Sequence, residues 1–506
     1  MKTSLSLDLI ASIAGRGLTT GLMFLFTPIY LRLLGIEAYG LIGFYATLLA
    51  CSMFLDQALS PMVAHRFVKS RAGGSIQTNL WDAFRTVEML VFLTAISLGL
   101  FIFFVAPWFA GDMVRAPTLG QDSLLRAFHL MALLLFLQWP SFFYGAALAG
   151  LSDQTMMNTL RAAVSTLQWA GGAVILTFIA PSIEYLFYWH AVCYLLLSWL
   201  LRRRVVMCIQ PNQAPSKWDQ TLLREGWRFS SGTLLIGITG TILTQADKLL
   251  VAKIAPLSEF ATYSLSFTVA SIVAVFVAQP VMAIAFPHFT QLVMTDSPEV
   301  LSREYRHWTQ LIVLAIVPVV GALVFHPKDI LAFWVGADLA ALGEAPRYIT
   351  WIALGTMLNV LMMLPFTLQL AHGWSGLSAR KNLVVLPFFL AALWYGIPQW
   401  GPIVGAWAWF GVNLSYYLFE VPLMHARILP SALWDWWLRD TGLPCVGGLL
   451  LFWISSVCLS GLTVIPPLVA CILSVALVVA FLLMLLPACR QTVLGVRQRF
   501  TSVRST

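Results

Sequence analysis

The chain has 506 residues, of which 59% are hydrophobic and only 10% are charged. A soluble domain carries about 45–50% apolar and about 25% charged residues, so this composition excludes a soluble globular protein and indicates an integral membrane protein. The formal net charge of +8 does not indicate nucleic acid as a partner, because the basic residues are concentrated in alternate loops between apolar segments.

The apolar segments predict the fold class. About 20 apolar residues cross the hydrocarbon core, and long continuous runs satisfy their own backbone there as helices. We therefore predict an all-α polytopic membrane protein of about fourteen transmembrane helices. We place the spans at 8–34, 40–66, 86–107, 124–149, 157–180, 184–201, 229–252, 261–288, 309–335, 347–371, 383–400, 403–424, 441–460 and 464–487.

The Lys and Arg residues predict the orientation of these spans, because cytoplasmic loops are enriched in both. With a cytoplasmic N-terminus, 22 of the 30 basic residues fall on the inside. This bias predicts an even number of spans and two cytoplasmic termini. We expect the following domains: an N-terminal six-helix bundle 1–201, a cytoplasmic linker 202–228, a C-terminal six-helix bundle 229–425, two extra helices 426–487 and a basic tail 488–506.

An internal repeat supports two pseudo-symmetric bundles. A shift of 222 positions pairs identical residues in one register across the first two spans and the turn between them. Since the first and seventh spans both start inside, the repeat is predicted to be parallel, with its axis along the membrane normal. The pairs are Gly15 with Gly237, Thr19 with Thr241, Glu37 with Glu259, Gln57 with Gln279, and Phe67 with Phe289.

The sequence does not contain the motifs typical of disulfide frameworks, metal sites or nucleotide-binding loops. The seven cysteines form no CxxC pair and the eight histidines show no HxxxH spacing, so we predict neither a disulfide framework nor a metal site. There is no GxxxxGK[ST] phosphate-binding loop. We expect no cofactor and no enzymatic activity. A coupling ion, H⁺ or Na⁺, stays unassigned, because buried acids such as Glu88 and Glu420 are equal candidates to carry it.

Two stretches resemble the polysaccharide transporter family, the Wzx-like flippases of the multidrug/oligosaccharidyl-lipid/polysaccharide exporter superfamily. The first is TPIYLRLLGIEAYGL at 27–41, followed by LDQALSP at 55–61, where Ala58 stands in place of the family's usual Gly. The second is LLREG at 222–226, QADKLL at 245–250 and SEFATYS at 258–264. They are similar to the family's openings of its first and second halves.

The resemblance implies a fold of two six-helix bundles around a central cavity with two appended helices. It implies a flippase that translocates undecaprenyl-diphosphate-linked oligosaccharide across the bacterial inner membrane by alternating access, for O-antigen, capsule or exopolysaccharide synthesis. The implied partners are the lipid-linked oligosaccharide and membrane lipids, together with a polysaccharide polymerase and a chain-length regulator.

In the first half, the candidate substrate-binding residues are ionisable or polar groups inside spans. Inserting a charged side chain at the centre of a membrane helix costs about 2.5–3.5 kcal/mol, so such a side chain needs a partner or a water-filled cavity. Arg16 and Asp56 lie at similar depth on antiparallel neighbours. Arg16 either binds the diphosphate, held by Asp56, or forms a structural pair with it. Gln57 and Ser60, the latter on the Asp56 face, either line the cavity or bond across helices. Arg66 either attracts a phosphate or anchors the inner end.

In the second half, the candidates lie on the seventh and eighth spans. Lys248, beside Asp247 near the outer end, either receives the diphosphate or snorkels to the interface. Gln245 and Gln279 are candidate sugar-binding amides, although lone amides in spans also bond between helices.

Three other functions compete with this flippase, two of them within the same superfamily. A cation-coupled multidrug exporter or a peptidoglycan-precursor flippase belongs to the same superfamily, but an exporter of cationic drugs favours an acidic cavity rather than Arg16. A membrane glycan polymerase usually needs a sizeable external loop, whereas the longest one here, about 108–123, is short.

Overall fold

The computed structural model describes residues 2–71, 80–209, 218–295, 298–336, 342–374, 376–461, 465–487 and 489–490. The side chains of some helical residues lie outside this description, among them Arg16 and Gln279. The chain divides into two compact units, 1–264 and 265–506. The predicted bundle limits stay a prediction.

The first unit is built from long helices joined by short turns. Its helices are α1 (Lys2–Leu34), α2 (Ile36–Arg71), α3 (Leu80–Trp108), α4 (Gln121–Gly150), α5 (Gln154–Phe178), α6 (Ile183–Ile209), α7 (Gln220–Ile254) and the start of α8 (Leu257–Val273). A π-helical turn, Phe109–Met113, extends α3.

The second unit contains the rest of α8 and the remaining helices. These are α9 (Gln279–Thr295), α10 (Pro298–Phe325), α11 (Pro327–Val335), α12 (Ala345–Ala371), α13 (Gly376–Trp400), α14 (Ile403–Ser415), α15 (Val421–Ile428), α16 (Leu443–Ser460) and α17 (Pro467–Leu485). π-Helical segments join α8 to α9 (Ala274–Ala278), join α14 to α15 (Tyr416–Glu420) and precede α16 (Asp435–Gly442), while Pro430–Ala432 forms a 3₁₀ turn.

Each predicted span overlaps a helix or an unbroken helical rod, so the all-α membrane fold is confirmed. Of the described helices, ten are long and apolar enough to cross a membrane by length and composition. The count of fourteen spans stays a prediction.

The sequence motif at 34–40 is a helix-to-helix turn. Gly35 adopts φ +79°, a left-handed conformation that glycine takes without steric cost, so α1 ends and α2 begins within one residue. The Glu37 carboxylate then accepts hydrogen bonds from the backbone N–H of Thr118, at 3.0 Å, and from the Thr118 hydroxyl. Glu37 thereby fastens the loop between α3 and α4.

The second motif packs against the first within the first unit. The N–H of Leu257 donates to the carbonyl oxygen of Arg115, in the same α3–α4 loop, at 2.7 Å. Gly40 on α2 lies so close to Leu257 and Ala261 that a Cβ there would stand 3.0–3.1 Å from them. Small residues at this crossing allow the two helices to approach closely, as in other membrane helix pairs.

The core of the first unit lies where α2, α3, α4 and α6 meet. Phe84 on α3 stacks on Phe143 of α4, with ring centres 5.4 Å apart, and both side chains are fully buried. In contrast, Phe104 and Phe178 are 74% and 80% exposed. Large apolar side chains on an outer surface are expected where the solvent is lipid.

Candidate functional site

Asp56, the carboxylate in the middle of α2, is partly buried and lies in the first unit. It accepts a hydrogen bond from the hydroxyl of Ser60, one turn further along the same helix. Arg161 on α5 is close enough for its positive charge to act on Asp56. Asp56 therefore has a hydrogen bond within its own helix and a favourable electrostatic interaction with a neighbouring helix.

Arg161 lies in a niche between α5 and α4. Its Nη2 donates to the carbonyl oxygen of Ser141, at 3.4 Å. A methyl group at Gly145 would overlap the Arg161 guanidinium and would touch Met157 Sδ at 3.4 Å. The absence of a side chain at Gly145 thus makes room for the guanidinium. The spacing of residues in the sequence pointed to Arg16 as the partner of Asp56 and did not indicate its relation to Arg161.

The Arg16 side chain lies outside the described residues, so its expected meeting with Asp56 stays a prediction. The backbone beside it is placed: a Cβ at Gly15 would stand 3.1 Å from Cβ of Asn158 on α5. Asn158 lies one turn before Arg161 on that helix. This packing brings α1 at Gly15 to the part of α5 that carries Arg161.

The other first-half candidates have separate surroundings. Gln57 is exposed, and its Oε1 would lie 3.1 Å from a Cβ at Gly237, so it rests along α7. Arg66 Nη2 lies 3.5 Å from Asp219 Oδ2, and the N–H of Asp219 donates to Thr86 Oγ1 at 3.0 Å. Arg66 therefore ties α2 to the segment that leads into α7.

Asp247 and Lys248 of α7 form a polar cluster with Tyr263 of α8. The hydroxyl of Tyr263 donates to Asp247 Oδ2 at 2.7 Å, and Lys248 Nζ lies 3.5 Å from Asp247 Oδ1. The ammonium also donates to the carbonyl oxygen of Thr244 at 2.6 Å, and the Lys248 side chain is only 13% exposed. The Lys248 ammonium thus donates a hydrogen bond to the backbone of its own helix, α7.

Of the two candidate amides, Gln245 is the one whose side chain the structure describes. Gln245 Nε2 lies 3.4 Å from the hydroxyl of Thr244, beside the Lys248 contact. The Gln279 side chain lies outside the described residues. Within the described ranges, no group of three or more His, Cys, Asp or Glu residues is arranged to hold a metal ion.

Glu88 is the centre of a charged cluster that joins three helices. Its carboxylate is 1% exposed and pairs with Arg85, with Arg202 Nε of α6 at 2.7 Å and with the hydroxyl of Tyr144 of α4 at 2.8 Å. A carboxylate saturated in this way holds α3, α4 and α6 together, and it is poorly suited to bind a transported ion.

Glu420 is the corresponding buried acid of the second unit. Lys381 Nζ lies 2.6 Å from its Oε2. Its Oε1 accepts hydrogen bonds from Gln369 at 3.0 Å and from Ser378 at 3.1 Å. The cluster connects α12, α13 and the π-helical turn before α15.

Three residues of the second unit are hydrogen-bonded in the order serine, histidine and aspartate, as in the catalytic triad of a hydrolase. The hydroxyl of Ser456 lies 2.9 Å from His326 Nε2, and His326 Nδ1 lies 3.0 Å from Asp329 Oδ2. In a hydrolase such a chain activates the serine, which must then reach a substrate. Here Ser456 and His326 are both buried, with Phe452 beside the imidazole. The chain anchors α16 to the turn between α10 and α11.

The fold is shared with solved transporters of the MOP superfamily. The lipid II flippase MurJ, in an inward closed conformation, matches with a TM-score of 0.70 at 12% identity, over 94% of this chain and 97% of that chain. An inward-facing multidrug resistance MATE family transporter matches with a TM-score of 0.65 at 10% identity, over 83% and 98%. A MOP superfamily transporter from Pyrococcus furiosus matches with a TM-score of 0.52 at 11% identity, over 84% and 95%.

The family follows from the sequence model that the chain matches. The model described as polysaccharide biosynthesis protein matches residues 29–338, which is more than half of the chain. The chain therefore belongs to this family, and the resemblance found in the two sequence stretches is confirmed. A comparison with individually curated proteins found no match to this chain.

Proposed function

We propose that this protein is a flippase that carries undecaprenyl-diphosphate-linked oligosaccharide from the cytoplasmic to the periplasmic leaflet of a bacterial inner membrane. The product would feed a surface polysaccharide: O-antigen, capsule or exopolysaccharide. The observation that carries the proposal is the family match over 29–338, in a chain whose fold is that of MOP superfamily transporters.

The charges of the first unit support an anionic substrate. Arg161 lies in a niche beside Gly145, near enough to Asp56 for their opposite charges to attract, and Asp56 in turn accepts a hydrogen bond from Ser60. A guanidinium binds phosphate oxygens in a bidentate fashion, so a diphosphate can replace the carboxylate as the partner of an arginine. In the proposed cycle, Asp56 compensates Arg161 when the site is empty, and the diphosphate takes over when substrate is bound.

The first test is the fate of the lipid-linked oligosaccharide in cells that lack the protein. We expect the intermediate to accumulate on the cytoplasmic face, out of reach of a periplasmic glycan-modifying probe. Wild-type protein should restore labelling. A null strain without accumulation, but with increased sensitivity to toxic cations, would instead support multidrug export. Accumulation of peptidoglycan precursor alone would support a peptidoglycan-precursor flippase instead.

Membrane topology is a second test, because the proposal requires both termini to be cytoplasmic. Reporters fused after Ser75, after Asn212 and at the C-terminus should all read cytoplasmic. A fusion after Leu119, in the loop between α3 and α4, should read periplasmic and serves as the control for translocation. A periplasmic signal from any of the first three fusions would contradict the even number of spans.

A further inference from the structure

The second unit contains an apolar groove whose lining residues have no part in the proposed transport function. Its volume is about 620 Å³, and its walls are α13 on one side and the rod of α14, the Tyr416–Glu420 turn and α15 on the other. Val384 and Phe388 line it from α13, and Phe419 lines it from the opposite wall; all three side chains are more than 60% exposed.

The groove has the depth of one membrane leaflet. The lining residues of its α13 wall run from Leu377 to Ala392, and the part from Arg380 to Ala392 corresponds to about 18 Å at about 1.5 Å per residue. One leaflet contributes half of a hydrocarbon core that is about 30 Å thick. An acyl chain that enters from the surrounding leaflet therefore fits along the groove.

One end of the groove is positively charged. Arg380, at this end, is exposed, and Arg427 lies one turn beyond the lining residue Leu423, with its guanidinium 4.3 Å from the centre of the Trp374 ring. The acid in the lining, Glu420, is already paired with Lys381 at 2.6 Å. Among the described residues no carboxylate pairs with Arg380 or Arg427, so two positive charges stand at the mouth.

We propose that this groove binds an anionic membrane phospholipid, with its phosphate between Arg380 and Arg427 and one acyl chain between α13 and α14. Basic pockets between membrane helices recognise lipid phosphates in this way. The occupant is a lipid of the surrounding leaflet because the walls are apolar over one leaflet's depth and the charge lies only at one end.

Charge and shape are tested separately. With equal amounts of phosphatidylglycerol and phosphatidylcholine offered to the purified protein, native mass spectrometry should show mainly phosphatidylglycerol retained. The double variant Arg380→Gln/Arg427→Gln should lose about thirty-fold in this preference, since each basic group near a membrane surface contributes about five-fold and the two factors multiply. Both side chains are exposed, so the variant should fold.

Filling the groove should expel both lipids alike. Ala392→Phe adds a ring inside the groove, and Gly411→Leu grows into space where an added Cβ has no neighbour within 4 Å. Ala391→Phe adds the same ring to the exposed adjacent position of α13, which does not line the groove. We expect lipid retention to fall in the first two variants and to stay at the wild-type level in the third.

Three results would overturn the proposal. The first is an unchanged lipid preference in the double arginine variant. The second is equal lipid retention by Ala392→Phe and Ala391→Phe. The third is displacement of phosphatidylglycerol by an equal amount of undecaprenyl diphosphate, which would assign the groove to the transported lipid. Transport measured in the same variants keeps these outcomes distinct from failure of the proposed function.

Discussion

Replacing Arg161 with glutamine should lower transport of lipid-linked oligosaccharide by about ten- to a hundred-fold, with the protein still inserted and folded. The expected loss corresponds to one charge-assisted hydrogen bond to the diphosphate, about 1.5–3 kcal/mol. The measurement is the rate at which a periplasmic probe gains access to the glycan in a null strain that expresses each variant at matched levels. Arg16→Gln is tested in parallel, since the sequence assigned the diphosphate to that residue.

A double variant separates substrate binding from charge compensation. If Arg161 only neutralises Asp56, then Asp56→Asn in the Arg161→Gln background removes the uncompensated charge and restores transport. We expect no such rescue, because the diphosphate would still lack its cation. Arg126→Gln is the matched control: this arginine pairs with Glu184 at 3.6 Å, and its side chain is 60% exposed. Transport should be unaffected there.

Much of the fold was predictable from the sequence. Backbone N–H and C=O groups in the lipid must form hydrogen bonds within the protein, and a long apolar segment can do this by folding as a helix. The eleventh predicted span shows the strength of this rule, since α13 is continuous from Gly376 to Trp400 despite Pro387 and Pro398 inside it. The irregularities were not predictable. The π-helical turns at 274–278 and 416–420 contain an extra residue per turn, and this does not change the hydropathy pattern of the sequence.

The partners of the site residues were less predictable for a physical reason. A membrane helix is apolar on most sides, so the sequence does not indicate which face meets which neighbour. Asp56 illustrates this. The i to i+4 relation with Ser60 follows from helix geometry alone, whereas the relation with Arg161 depends on the rotation of α2 and α5. Sequence spacing suggested Arg16 as its partner because it ranks residues by depth only.

Arg306→Ala should destabilise the protein by about 3–5 kcal/mol, because it leaves a buried carboxylate without its cation. Asp440 is 0% exposed; Arg306 Nε lies 2.6 Å from its Oδ2, and Gln310 Nε2 lies 2.6 Å from its Oδ1. A second contact, Arg306 Nη1 to Asp435 at 2.9 Å, joins the same segment to α10. The measurement is unfolding of purified protein in a fixed lipid–detergent mixture.

The same segment offers a matched control and a rescue. Arg439 pairs with Asp435 at 3.1 Å, but its side chain is 74% exposed, so Arg439→Ala should cost only about 0.3–0.5 kcal/mol. Asp440→Asn in the Arg306→Ala background removes the buried charge and keeps an acceptor for Gln310, so most of the stability should return. Equal losses from Arg306→Ala and Arg439→Ala would mean that Asp440 is hydrated in the membrane. The cluster would then not hold α10 to the segment before α16.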